Sequence, residues 1–146
     1  MEHVKVMHAS WNVPNIINIC VDEVSEGELS GRLYHCYSKT AWKFSNIVRL
    51  VEYAEELFDH IEFPEAATQT RTFMKKNGEQ KEKWKHVTST EHIEKQRGIR
   101  GTFLLQVQYR QNTTWQGSVV WVEGHKTWEF LSVLELFKII THVVEE

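Results

Sequence analysis

The chain has 146 residues, 41% hydrophobic and 12% aromatic, which is enough for one domain with a real core or for two very small units acting together. A net charge of −3 gives no blanket attraction to nucleic acid, and two cysteines, Cys20 and Cys36, make no disulfide framework. Met1–Ser10 lacks the apolar stretch of a signal peptide and no apolar run reaches membrane-spanning length, so a cytoplasmic protein without membrane contact is expected.

After an N-terminal arm (1–15), Ile17, Ile19 and Val21 alternate with Asn18 and Cys20, the pattern of a half-buried strand. Ser25-Glu26-Gly27 turns the chain into a second strand, about Leu29–Tyr37, and a short third strand, Trp42–Phe44, leads into a helix. Ser45 is its expected cap, Pro64 closes it, and Ile47, Leu50, Val51, Ala54, Leu57, Phe58 and Ile61 form its apolar stripe. Its opposite face, Arg49, Glu52, Glu55, Glu56 and Asp59, is charged and expected in water.

Residues 63–101 read as a basic polar linker between a first unit (16–62) and a second (102–146). From Arg71 to Arg100 nine Lys/Arg stand against four Glu, a net +5, which leaves the rest of the chain at −8. Thr68–Met74 is a candidate strand, Asn77-Gly78 a candidate turn, and Ser89–Gln96 the start of a short helix; the stretch as a whole is expected to be mobile or partly ordered.

Residues 16–60 then slide onto 102–146 without a gap: Val21 meets Val107, Gly31 meets Gly117, Trp42 meets Trp128, Phe44 meets Phe130 and Leu50 meets Leu136. Phe103, Leu105, Val107 and Tyr109 alternate with Leu104, Gln106 and Gln108. Gln111-Asn112-Thr113 makes a turn, and Trp115–Glu123 and Trp128–Phe130 follow as strands. Ser132 with Glu135 forms a capping box for a helix whose stripe is Val133, Leu136, Phe137, Ile140, Val143 and Val144. The expected fold is α+β: two pseudo-repeats of an antiparallel β-β-(β)-α unit, with the helices packed on one face of the sheets. In the second unit Trp115, Val119 and Trp121 oppose Val120 and Val122, so both faces of that strand are apolar. One face covers its own helix; the other must meet a second layer, a ligand or a partner chain, which a pseudo-twofold pairing of the copies or a homodimer would supply.

Arg110-Gln111-Asn112-Thr113-Thr114-Trp115-Gln116-Gly117, with Val119, Trp121 and the Phe130–Phe137 helix start, resembles a family of short proteins common in Gram-positive gut bacteria. That family carries the pattern RQNxTWQGxVxWxE…FxSxLELxxLI, and Gly27–Phe44 resembles its N-terminal half. The resemblance implies a bacterial or mobile-element origin and no particular activity.

The chemistry-bearing residues form no catalytic set. Glu91-His92-Ile93-Glu94 lacks the second histidine of a zinc helix, and neither cysteine belongs to a CxxC pair. His35 and Cys36 are strand neighbours whose side chains point to opposite faces, and there is no GxSxG and no phosphate-cradling glycine loop. The paired acids Glu55-Glu56 and Glu145-Glu146 read as solvated faces. No catalytic residue, metal site or cofactor is expected. The Arg110–Gly117 hairpin could clamp a phosphate or a base. Its Asn112-x-Thr114-x-x-Gly117 resembles the DxSxxG of cyclic-dinucleotide receptors, with Arg97 and Arg100 upstream at a different spacing. A turn with a core tryptophan is the plainer reading. Linker lysines interleave with Phe73 and Trp84 as in single-strand binders, but the acidic remainder opposes nucleic acid as a ligand.

The expectation is therefore a non-enzymatic protein-binding module, and more narrowly an anti-defence inhibitor, carried by a mobile element or phage, that blocks a host defence protein. Its contacts would be Arg110, Gln111, Asn112, Trp115, Trp121 and Trp128, with Glu52, Glu55, Glu56 and Asp59 as an acidic patch. The alternative is a nucleotide or cyclic-nucleotide receptor using the second hairpin.

Overall fold

A computed structural model describes residues 16–61, 84–111 and 114–145. The fold is α+β, with a six-stranded antiparallel sheet and three helices among those residues. In chain order these are β1 (Ile17–Ser25), β2 (Glu28–His35), β3 (Trp42–Phe44), α1 (Ile47–Ile61), α2 (Thr90–Glu94), β4 (Gly101–Gln111), β5 (Thr114–Trp121), β6 (Lys126–Phe130) and α3 (Val133–Val144). Pro64, the candidate strand Thr68–Met74 and the candidate turn Asn77-Gly78 lie outside the described residues.

The sheet order is β3-β2-β1-β4-β5-β6. Between β1 and β2, Glu26 and Gly27 both take positive φ (52° and 83°), the two-residue turn whose twist suits a hairpin. Ile17 pairs with His35 and Phe103 with Trp121; the register shifts between Val21 and Glu23 in one hairpin and between Val107 and Tyr109 in the other. Gly31 faces Phe44, and Gly117 faces Phe130. Every one of these pairs recurs 86 residues along. At the centre β1 lies against β4, Ile17 with Leu105 and Ile19 with Phe103 around the pair Asn18–Leu104. The two halves thus meet edge to edge within one sheet, not face to face as a second layer.

One apolar cluster gathers Ile17, Ile19, Val21, Leu29 and Leu33 from the first hairpin and Phe103, Leu105, Val107, Trp115 and Val119 from the second. It also holds Leu50, Ala54, Leu57 and Phe58 of α1 and Leu136, Phe137, Ile140 and Val144 of α3. The caps differ in detail from the sequence reading. Asn46, not Ser45, caps α1 by accepting the Arg49 N–H at 2.8 Å. Ser132 does cap α3, but the Glu135 carboxylate reaches back one residue further, to the Leu131 N–H at 2.6 Å.

The expected half-buried first strand is buried on both faces, because β1 is central and has a cover on its second side. That cover comes from residues 84–100, read from sequence as part of a linker. Ile93 of α2 packs with Ile16, Cys36, Leu104 and Val120 in a second cluster. The Asn18 amide, fully buried, donates to the carbonyls of Ile93 (2.8 Å) and Gln96 (3.0 Å), where the short helix ends and needs donors. The Val87 and Thr88 N–H groups donate to the Cys36 carbonyl, and the Arg100 N–H to that of Val21. The second face of β5 therefore has an intrachain cover at Val120, while Gln106, Gln108, Gln116 and Ser118 further along stay at least partly open to water.

Candidate functional site

On the second hairpin Arg110 and Trp115 are expected as partner contacts, or, in the alternative reading, as part of a ligand clamp. A bulge places them differently. In strict alternation Tyr109 would follow Phe103, Leu105 and Val107 onto the helix side; the extra residue at the Val107–Tyr109 shift sends Tyr109 outward and turns Arg110 inward, opposite Trp115. Arg110 and Trp115 are buried, at 3% and 1% exposure, and so are not surface contacts. The Arg110 guanidinium puts Nη1 2.7 Å from Oε1 of Glu55 and Nη2 3.0 Å from Oδ1 of Asp59, while the Trp115 indole N–H donates to Oε2 of Glu55 at 2.5 Å. Phe58 lies beneath, its ring 5.5 Å from the guanidinium carbon and edge-on to Trp115.

Glu55, Phe58 and Asp59 share one face of α1 through their i, i+3 and i+4 spacing. Four residues expected in two separate patches thus form a single cluster that ties α1 to the second hairpin. A guanidinium so engaged is not presented to an anionic ligand. The acidic patch is reduced accordingly: Glu52 and Glu56 remain outside the cluster, and Glu52 is exposed and pairs with Arg49 at 3.1 Å. Gln111 is exposed and accepts the Tyr109 hydroxyl at 3.1 Å; Asn112 lies outside the described residues.

Trp121 and Trp128 are half-buried on the helix side of the sheet. Gly124 leaves room for the Trp121 ring, which a Cβ there would strike. Trp128 lines a groove of about 230 Å³ between β6 and α3, with Glu135, Lys138, Ile139 and His142. At the start of that helix Leu131 and Leu134 are each 67% exposed. Sequence reasoning passed over both leucines; the visible signal was an apolar residue on either side of the Ser132 cap.

Also unforeseen is an aromatic stack on the first half. Trp84, considered from sequence for stacking on bases, stacks instead on His60 with centroids 4.0 Å apart and meets Trp42 edge-on at 5.8 Å. His35 lies behind them, 4.3 Å from Trp42, its Nδ1 accepting the Tyr37 N–H. Its Nε2 finds no hydrogen-bond partner among the described residues. Burial pulls the His35 pKa down from 6.5 to about 4, so the ring is neutral in the fold. The unfolded chain takes up a proton there near pH 6.5. The stability from neutral His35 is therefore complete above that pH and is lost progressively down to about pH 4. Between pH 7 and pH 4 the loss should be about 3 kcal/mol. Urea titrations across this range should show the wild type losing that much more than His35→Phe; parallel curves would contradict the assignment.

The thiols offer no nucleophile. Burial pushes Cys20 up to about 12 and raises Cys36 as well, leaving both protonated at neutral pH. Asp22 sits in the opposite balance: burial raises it, but the Arg32 guanidinium at 2.8 Å and the Ile99 N–H outweigh that and hold it below the usual carboxylate range. This pair fastens residues 97–99 to the sheet.

Fold and site together define an α+β chain whose described residues form one sheet, two long helices and an apolar groove at one sheet edge. Comparisons with family models, with curated proteins and with solved structures each returned no match. Among the described residues no helix is long and apolar enough to cross a membrane.

Proposed function

We propose that this chain is a non-enzymatic protein-binding module assembled from two copies of one β-β-(β)-α unit, both long helices covering the same sheet face. The duplication is supported by pairings, bulges and glycines that recur at an interval of 86 residues, and by a β1–β4 seam that is two-fold in the same numbering. Ile17 and Phe103 hold corresponding positions, and each faces the other's neighbour but one.

The observation that carries the binding reading is the β6–α3 edge, where two exposed leucines, Leu131 and Leu134, flank the Ser132 cap of the helix whose next turns line a groove with Trp128. Isolated surface leucines are ordinary; two exposed leucines on either side of one helix cap, at the edge that carries a half-buried tryptophan, are the composition of a contact surface. The narrower reading, an inhibitor of a host defence protein, draws on Glu52 and Glu56, the acidic residues of α1 that the Arg110 cluster leaves over.

Affinity capture from a Gram-positive bacterial lysate tests the proposal, comparing the wild type with the double variant Leu131→Asp/Leu134→Asp. A partner held by the wild type and lost by the variant at unchanged melting temperature is expected. An identical captured set for both proteins would sink it.

A further inference from the structure

The first half fills for itself the place that stands open in the second. Opposite Leu33, Trp42 on β3 packs against the ring of Tyr53 from α1, with centroids 5.3 Å apart, and the Tyr53 hydroxyl donates to the Lys43 carbonyl at 2.9 Å. Trp128 stands opposite Val119 on β6 in the same way. The helix residue eleven positions beyond each tryptophan is Tyr53 in one half and Ile139 in the other. Isoleucine lacks the ring that would reach the edge strand, and the groove of about 230 Å³ lies there.

The rims differ in charge. Around Tyr53 the corresponding residues are Arg49, Glu52 and Glu56; around Ile139 they are Glu135, Lys138 and His142. Glu135 gives one carboxylate oxygen to the Leu131 N–H and keeps its charge, so the rim carries both signs, with cationic Lys138 standing where the first half has Glu52.

We propose that the groove receives a tyrosine side chain of a partner protein, flanked by acidic residues. Its ring lies on Trp128 as Tyr53 lies on Trp42, its hydroxyl donates to the Glu129 carbonyl, and its acidic neighbours face Lys138. This rests on the protein-binding reading above and narrows it to the chemistry of the partner. A phenol ring supplies contact area at small entropic loss and one directional donor, which suits an apolar slot beside the carbonyls of an edge strand.

The test follows the Trp128 indole N–H signal of the ¹⁵N-labelled full chain, assigned with Trp128→Phe. The chain is titrated with acetyl-Asp-Tyr-Asp-amide, with the same peptide carrying alanine for tyrosine, and with p-cresol. The tyrosine peptide should shift the Trp128 signal saturably and the alanine peptide should not. Lys138→Glu should weaken the tyrosine peptide several-fold. Ile139→Tyr, which rebuilds the first-half arrangement, should abolish the response with the melting temperature held or raised.

No saturable shift, equal shifts from both peptides, or a response that survives in Ile139→Tyr overturns the assignment. A response to p-cresol with none to the peptide overturns it too, in favour of a small-phenol site. Where the peptide fails but capture dependent on Leu131 and Leu134 persists, only the tyrosine assignment falls; loss of both removes the binding reading itself.

Discussion

Replacing Arg110 by methionine is expected to lower the folding stability by about 3 kcal/mol, because two carboxylates would be left facing an apolar side chain. The wild-type guanidinium is nearly sealed, at 4% side-chain exposure, whereas Glu55 and Asp59 keep 22% and 27%. Water can therefore reach the orphaned carboxylates in part, which holds the loss below that of a fully buried pair. For a chain of this length such a change corresponds to a fall of roughly 10 °C in melting temperature. Lysine should not rescue it, since one ammonium cannot span two carboxylates as the planar fork does. Neutralising the partners should: Glu55→Gln with Asp59→Asn in the Arg110→Met background leaves no stranded charge, and the introduced glutamine amide oxygen can still accept the Trp115 N–H. Urea unfolding of the single, double and triple variants measures this. A loss under about 1 kcal/mol for Arg110→Met, or no recovery in the triple variant, would show that the cluster does not clamp α1 to the second hairpin.

The same arginine shows where sequence reading stops. Periodicity of 3.6 located both long helices, and alternation located both hairpins, because each pattern repeats a local geometry several times over. A bulge is one extra residue, and nothing in Val107-Gln108-Tyr109 distinguishes a bulge from plain alternation; read without it, Tyr109 falls on the apolar face and Arg110 is left as a surface contact. Glu55 and Asp59 were legible as the polar flank of α1, but a flank carboxylate can meet water or a guanidinium from 55 residues away, and only the tertiary fold decides. Asn18 failed for a related reason. A polar residue in an alternating strand reads as solvent-facing, yet it is buried because the carbonyls of a segment 75 residues distant need its amide. The groove, by contrast, could have been found: Tyr53 and Ile139 differ in size at matched positions beside matched tryptophans, and the comparison needs only the two aligned halves.

The largest loss is expected at Gly31 and Gly117. Each lies across from the last regular residue before a bulge, Gly31 from Val21 and Gly117 from Val107. A Cβ on Gly31 would collide with the Cys20 carbonyl oxygen, and one on Gly117 with that of Gln106. The obstacle is backbone in both cases, held by its own ladder hydrogen bonds, so no rotamer change relieves it; the neighbouring strand must move or the bulge must unwind. Overpacking against adaptable side chains costs about 1–3 kcal/mol, and against this fixed backbone Gly31→Ala and Gly117→Ala should each exceed ~3 kcal/mol. Gly27→Asn is the control: at its φ of +83° any side chain is strained, asparagine among the least, but nothing lies within 4 Å of the new Cβ, and the loss should stay at about 1 kcal/mol. Since both bulges also set which side chains face the core, the alanine variants should disturb the sheet beyond the substituted residue. Amide hydrogen exchange should accelerate along Ile17–Val21 for Gly31→Ala and along Phe103–Val107 for Gly117→Ala. Stabilities no lower than that of Gly27→Asn would mean that the bulges shift freely, and the inward placing of Arg110 would lose its cause.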